Sequence, residues 1–423
     1  MLIEFSVSNF RSFREKQTFS MVAAPRLKKK ENLISPEVKG EKLPSLLKVA
    51  AIYGPNASGK SNLMKAMNAV VEMAKGEISA GGPLPVQPFR FDSNLRLEPS
   101  RFEFHFIAAN TRYKFELDAL PERITLERLH AFPKGKETLL YERKHSESSD
   151  EYIFGDLEGG QEVHNAWRKL TGPKSLFISQ AVANSSEDLT QLRAPHLWLR
   201  VGVKVMQHGE MISVAEGLQR LWVAMKIPLG KQLAEYLSEV DVPIASIRVE
   251  GKVPPRLDAE GNEISLFDSK YISEIFKSKV TTTLTHETNL GSAEFDFEEE
   301  SEGTKSLIGF YLPWMVMQAK ASGGLAMLAV DEVDSSLHPE ILASIVEKQL
   351  KSKNGSQLIF TTHDTHLMNT KLLRRDQFWL TERDMNGATS LRSIHEFEGR
   401  EGEDVEKRYF EGRYRALPII RKT

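Results

Sequence analysis

Eight residues, Gly54-Pro55-Asn56-Ala57-Ser58-Gly59-Lys60-Ser61, constrain this chain more than any others. They fit the pattern G-x-x-x-x-G-K-[ST], and their flanks agree with it. Leu46 to Tyr53 is an apolar run of strand length, and Asn62-Leu63-Met64-Lys65-Ala66-Met67 reads as the start of a helix. A glycine-rich turn between strand and helix lets successive backbone N–H groups and the helix N-terminus face an anion. Residues 54–62 are therefore the expected phosphate cradle of a nucleoside triphosphate. Lys60 would reach the terminal phosphates and the Ser61 hydroxyl would hold Mg²⁺.

A chain of 423 residues has room for two or three domains. Its formal net charge of −2 excludes a global attraction to nucleic acid or anionic lipid, so either would need a local patch. No apolar run approaches the ~18 residues of a membrane span, and Met1-Leu2-Ile3-Glu4-Phe5 lacks a signal-peptide layout. The absence of cysteine excludes disulfides, thiolate metal sites and cysteine nucleophiles. A soluble, cytoplasmic protein without membrane contact is expected.

Along the chain, Ile3 to Phe10 alternates apolar and polar residues as a strand does. Residues 24–45 read as a polar surface loop, and Gly81-Gly82-Pro83-Leu84-Pro85 breaks the chain after the first helix. Phe102, Phe104 and Phe106, then Tyr113, Phe115 and Leu117, predict a hairpin turning at Asn110-Thr111. Strand-like pieces continue to about residue 155. Between 208 and 240, Leu218, Leu221, Trp222, Met225, Leu233 and Leu237 predict two amphipathic helices interrupted by Pro228 and Gly230. Residues 244–300 return to short strands, with a turn at 258–262, and the remainder alternates helix and apolar strand.

Downstream, Leu325 to Val330 is a buried-strand run ending in Asp331-Glu332. A carboxylate at such a strand end is where a phosphate-loop protein holds Mg²⁺, which makes Asp331 the second metal candidate. Glu332 is placed to orient and deprotonate an attacking water. Val333-Asp334-Ser335-Ser336-Leu337-His338-Pro339 follows at once, and one helix later Gln357 to Thr362 forms another strand, ending in His363. No His/Asp/Glu cluster elsewhere has persuasive metal spacing.

Together these motifs resemble the ATP-binding-cassette ATPases of the SMC and RecF type. The resemblance implies a D-loop at Asp334, a switch histidine at His363, and catalytic roles for Lys60, Glu332 and His363. It also implies a signature segment that completes the partner's site, here Ser301, Gly303 and Thr304 within Phe297 to Leu307. A Ser hydroxyl and a Gly N–H at a helix start suit contact with a γ-phosphate across an interface. Leu176-Phe177-Ile178-Ser179-Gln180 looks like the family's strand ending in a metal-contacting glutamine. Gln180 is preferred for that role, and Gln87 is its rival. Asn9-Phe10-Arg11-Ser12-Phe13 resembles the segment that brings a basic residue to the phosphates, so Arg11 is a candidate, with a solvent-exposed arginine as the alternative.

Within that group the chain looks most like the compact ATPases of bacterial phage-defence and abortive-infection loci, RloA-like or AriA-like. That likeness rests on residues 5–13, Pro88-Phe89-Arg90-Phe91, Asp241-Val242-Pro243-Ile244, Arg374 to Glu382 and Lys407 to Pro418. It implies a sensor or scaffold, a homodimer or higher oligomer, that controls a separate effector such as a Toprim nuclease. Sixty residues follow His363 and no Asp-x-Asp pair occurs, so no Toprim site is expected within the sequence itself. A RecF-like clamp on DNA is the alternative. It could draw on the basic segment Lys407, Arg408, Arg413, Arg415, Arg421 and Lys422, although subunit packing suits that segment as well. A transporter subunit fits least, because more than 200 residues separate the phosphate loop from the signature.

The expected fold is α/β: an ABC-type P-loop ATPase head assembled from both ends of the chain around a central insertion. The expected boundaries are 1–84 for the N-terminal lobe, 85–245 for a β-rich then helical insertion, and 246–423 for the C-terminal lobe. ATP and Mg²⁺ are the expected cofactors.

Overall fold

The structure, a computed structural model, describes residues 1–76, 82–225, 230–240, 242–257, 269–318, 324–335 and 337–417. The readings at Gly81, Pro228, Asp241, 258–262, Ser336, Pro418, Arg421 and Lys422 lie outside the described residues. Two compact units divide the chain. The first comprises residues 1–207, 317–334 and 342–423, and the second comprises 208–316 and 335–341.

The first unit is built on a largely parallel sheet. Its strand order is Val203–Met206, Met327–Val330, Gln357–Thr361, Val49–Tyr53, Phe378–Arg383 and Thr389–Ser393, and the last alone runs antiparallel. Met327–Val330, Gln357–Thr361 and Val49–Tyr53 are buried at every position, as strands covered on both faces must be. The N-terminal strand Val49–Tyr53 lies between the C-terminal strands Gln357–Thr361 and Phe378–Arg383, so the expected α/β class and two-ended assembly are what the structure has.

A second, antiparallel sheet in the same unit runs Ser149–Phe154, Thr138–Ser146, Arg123–Ala131, Thr111–Leu120, Ser100–Ala108, Leu2–Ser8 and Gln17–Ser20. Phe5, Val7, Phe102, Phe104, Phe115, Leu117 and Leu129 point into the core, with the Phe5 and Phe104 rings 4.5 Å apart. The predicted hairpin forms. Its two-residue turn is Ala109-Asn110, one residue earlier than the expected Asn110-Thr111, and both are at positive φ (44° and 57°), which matches the twist of the flanking strands.

Helix Lys60–Lys75 buries ten of its sixteen residues, and one apolar core joins it to both sheets. Gly76, at φ 71°, ends it by donating its N–H to the Met73 carbonyl. Arg374, itself buried, pairs with Asp376 and donates to the carbonyls of Ala24, Leu27 and Lys28. That arginine fixes the loop opening at residue 24.

The second unit carries the expected helices Met211–Met225 and Gly230–Glu239. It also has a three-stranded antiparallel sheet, Ile244–Gly251, Val280–Thr288 and Gly291–Asp296. Tyr236 stacks on Tyr311 at 3.5 Å. Helix Glu302–Gln318 begins within this unit.

Three expectations are corrected. The expected insertion 85–245 is not one body: its residues up to 207 belong to the first unit, where Ser100–Ala108 pairs along Leu2–Ser8 in one sheet, and those from 208 belong to the second. Leu176 to Gln180 is not a strand but enters helix Phe177–Ala183. Here the buried Glu127 carboxylate accepts from Phe177 N (2.6 Å) and Ile178 N (3.0 Å), satisfying the first free N–H groups of that helix. Within 244–300, residues Ser269–Lys277 are helical rather than extended.

Candidate functional site

The carboxyl ends of three adjacent parallel strands deliver Gly54, Thr362-His363 and Asp331-Glu332 to one edge of the sheet. Open α/β sheets place ligand crevices at such ends. A cleft of about 680 Å³ opens there, lined by Arg11, Asn56 to Asn62, Glu332 and His363 among others.

The phosphate loop is held from behind by threonine hydroxyls. Thr381 bridges Tyr53 O (3.2 Å) and Ser58 Oγ (2.5 Å), and Thr389 Oγ1 lies 2.8 Å from Ser58 O and 2.7 Å from Ser12 Oγ. Asn62 Nδ2 donates to the same Ser12 hydroxyl at 2.8 Å. Gly59, at φ 109°, leaves no room for a side chain, since a Cβ there would run into Thr389. Gly54 lies equally close to Thr381. The loop is thus held in one conformation by its surroundings.

Lys60 Nζ donates to Gly54 O at 2.8 Å and lies 3.1 Å from His363 Nε2. An ammonium can only donate, so His363 Nε2 is the acceptor and its ring is neutral. Burial, then the Lys60 charge, holds the His363 pKa below the usual histidine range, against the pull of Asp334, Glu332 and Asp331. Burial likewise lowers the Lys60 pKa, opposed by the same three carboxylates.

Behind the two carboxylates sits Thr361. Its hydroxyl donates to Asp331 Oδ1 at 2.7 Å and accepts from Glu332 N at 2.7 Å. Glu332 has φ 50°, a left-handed backbone that a non-glycine residue adopts only when its surroundings enforce it. This conformation ends the strand and places Glu332 in the cleft wall. Asp334 Oδ2 accepts from His363 N at 3.1 Å, while its Oδ1 is buried without a hydrogen-bond partner.

The N-terminal segment forms the facing wall. Buried Asn9 holds residues 88–99, with Nδ2 on Leu95 O (2.8 Å) and Glu98 O (2.9 Å) and Oδ1 on Phe89 N (3.0 Å). Arg11 lines the cleft, its Nε buried and unpartnered and its pKa lowered by burial and by Arg90. Phe91 also lines the cleft, 71 % exposed, with the Arg383 guanidinium 5.8 Å from its ring centre. Ser12, Phe91, Thr361, Thr381, Thr389 and Arg383 were not foreseen as site residues. Ser12, Phe91 and Thr381 lie in stretches that carry the family likeness, which is their only signal in the sequence.

Lys60, Ser61, Glu332 and His363 therefore meet, with Asp331 and Asp334 immediately behind them. Gln180 does not join them. Ser179 Oγ bonds to Ala74 O (3.1 Å), in the last turn of the helix that starts at Lys60, roughly 20 Å along the axis from the loop. The rival Gln87 is the glutamine beside the cleft: its carbonyl accepts from Arg11 N at 2.7 Å and its side chain is exposed. Ser301 and Gly303 are exposed at the start of Glu302–Gln318, where Ser301 Oγ accepts from Thr304 N at 3.1 Å. They belong to the second unit. In the C-terminal segment Arg408 pairs with Glu403 (2.9 Å) and Arg413 with Glu411 (3.6 Å), so acids interrupt the basic segment on which a DNA clamp would draw.

Magnesium and a triphosphate fit this cleft. Among the described residues no cluster of three or more His, Asp or Glu could hold a metal alone. A serine and a buried carboxylate beside a phosphate cradle suit a cation that takes most ligands from phosphate oxygens and water. No helix among the described residues is long and apolar enough to cross a membrane.

The model of one protein family, described as "AAA domain, putative AbiEii toxin, Type IV TA system", matches residues 49–162 and 229–369. Among solved structures the chain is similar to an SmcHead bound to the C-winged helix domain of ScpA, at 12% identity and TM-score 0.48, covering 93% of this chain and 97% of that one. It is also similar to an SMC head domain from Thermotoga maritima (14%, TM-score 0.40, 93% and 98%). A third is an Smc head with an extended coiled coil bound to the C-terminal domain of ScpA, derived from Pyrococcus furiosus (11%, TM-score 0.44, 93% and 96%). No curated protein matches the chain.

Proposed function

The chain belongs to this AAA-domain family, and on that premise we propose that it is an ATP-hydrolysing switch controlling a separate effector in a bacterial defence or toxin–antitoxin locus. The observation that carries the reading is the meeting of Lys60, Ser61, Glu332 and His363 in one cleft at the ends of adjacent parallel strands.

The loop N–H groups and Lys60 would bind the phosphates, and Arg11 would add charge from the facing wall. Ser61 and Asp331 would hold Mg²⁺, which neutralises phosphate charge when bound. Glu332 would take a proton from water as the water oxygen bonds to the γ-phosphorus and the γ-phosphorus bond to the bridging β-phosphate oxygen breaks, leaving ADP and phosphate. The neutral His363 imidazole, already at Lys60, would sense the γ-phosphate, and its backbone tie to Asp334 would pass the change to the D-loop. Gln87 replaces Gln180 as the candidate glutamine. Exposed Ser301 and Gly303 would complete the site of a second copy, so ATP would favour the closed pair and hydrolysis would release it. The family description supports the toxin–antitoxin setting. A Toprim nuclease is one candidate effector.

The test is Glu332→Gln in the full chain with ATP and Mg²⁺. Nucleotide binding should persist while phosphate release falls by about 10²-fold or more, the usual share of a general base. The variant should accumulate as a defined oligomer that captures the product of the neighbouring gene. Unchanged hydrolysis would remove Glu332 from its role. An ATP-dependent dimer that ignores the neighbour and shifts DNA would replace the effector reading with a clamp.

A further inference from the structure

A second cleft, of about 690 Å³, lies on the antiparallel sheet of the first unit and shares no lining residue with the phosphate-loop cleft. Its walls are the hairpin of Thr138–Ser146 and Ser149–Phe154, the start of Arg123–Ala131, and helix Gly160–Leu170. Three cations, Arg123, Arg168 and Lys169, face one carboxylate, Asp150.

That carboxylate is already neutralised from inside the sheet. Arg143, whose side chain is 1% exposed, holds Asp150 Oδ2 at 2.7 and 2.9 Å, and His145 Nδ1 lies 2.9 Å from Oδ1. Two further Arg143 N–H groups donate to the carbonyls of Ser175 and Gly172. Arg123 therefore only shares Asp150 (2.9 Å), and its Nε is buried without a hydrogen-bond partner. Arg168 and Lys169 are exposed and pair with no carboxylate among the described residues. The helix end does not consume them either, since Thr171 caps the Trp167 and Arg168 carbonyls through its hydroxyl (2.8 Å) and its N–H (3.2 Å). The half-buried Tyr152 ring adds an aromatic wall, with the Arg168 guanidinium 5.1 Å from its centre. Asn165 accepts from Gln161 through Oδ1, which leaves its NH₂ to donate.

A surplus of unneutralised guanidinium and ammonium beside an aromatic face suits an anion that carries a planar ring. The volume lies within the range of small-molecule sites and is close to that of the phosphate-loop cleft. We propose that this cleft is a second binding site, for a nucleoside phosphate whose phosphate meets Arg123, Arg168 and Lys169 and whose base lies against Tyr152.

Equilibrium dialysis of labelled ADP against the full chain tests this. Wild type should bind two equivalents, Lys60→Ala one, and Arg168→Glu/Lys169→Glu one. Both substituted residues of the double variant are exposed, and circular dichroism will verify that it is folded. Competition with unlabelled inorganic phosphate separates a nucleotide site from a plain anion site, and phosphate should displace the second equivalent at least tenfold less well than ADP. One equivalent in wild type, lost in Lys60→Ala and kept in Arg168→Glu/Lys169→Glu, would overturn the proposal and leave the phosphate-loop reading intact. One equivalent lost only in the double variant would do the reverse. Displacement by phosphate as effective as by ADP would overturn the nucleoside assignment.

Discussion

Thr361→Val keeps the shape of a fully buried side chain and deletes one hydroxyl, and that hydroxyl holds both strand-end carboxylate residues. Asp331, 3% exposed, would lose a bond to a charged group worth about 1.5–3 kcal/mol. The partly buried Glu332 N–H would lose its acceptor, at about 1–3 kcal/mol. Relaxing Glu332 from φ 50° would recover about 1 kcal/mol of backbone strain. The net loss should be about 3 kcal/mol, read from urea unfolding of wild type and variant. Relaxation of Glu332 is also the route by which activity fails. Once the left-handed turn opens, the carboxylate leaves the cleft, and single-turnover phosphate release should fall at least tenfold while nucleotide binding changes little. Thr361→Ser, which keeps both bonds, should restore most of each. A loss below about 1 kcal/mol together with unchanged turnover would refute the role given to this hydroxyl.

Local pattern was enough for what local physics decides. The apolar run at Val49–Tyr53 and the glycines that follow could hardly be anything but a strand and a phosphate loop, and the alternating phenylalanines at 102–106 mark a half-buried strand. What local pattern lacked was information stored far away. Leu176-Phe177-Ile178 has a strand's composition, yet Glu127, fifty residues upstream, supplies the acceptors that let a helix start there. The Tyr141, Tyr152 and Phe154 rings pack on Phe177 from strands of the same sheet. The domain boundary at 84 failed for a like reason, because Leu2–Ser8 finds its partner at Ser100–Ala108. Thr361, Thr381 and Thr389 were invisible as site residues, since threonine in a strand is ordinary by propensity. Only their meeting with Asp331, Ser58 and Ser12 gives those hydroxyls a task.

Two further outcomes can be checked on purified protein. Phe91→Ala should weaken nucleotide binding about tenfold in a fluorescence titration, since a stacked base is worth about 1–3 kcal/mol. ATP and GTP should suffer alike because a ring face does not read base edges, and unchanged affinity would separate Phe91 from the base. Acid should destabilise the first unit through His196. Burial holds this imidazole down to about 4, even though a hydrogen bond with the Ala74 backbone favours its charged form, and its Nε2 is buried and unpartnered. Above pH 7 the ring is neutral in both states and contributes nothing to the slope. As pH falls from about 6.5 towards 4, the unfolded chain takes a proton that the folded chain refuses, so stability drops by about 1.4 kcal/mol per pH unit, roughly 3 kcal/mol across the window. His363, also lowered, acts in the same direction and is present in both proteins. His196→Gln removes only the first contribution, so its stability between pH 6.5 and 4.5 should fall less steeply than that of wild type. Parallel curves would mean that His196 is protonated in the folded protein, and that burial at the end of the phosphate-loop helix does not outweigh the attraction of the Ala74 carbonyl.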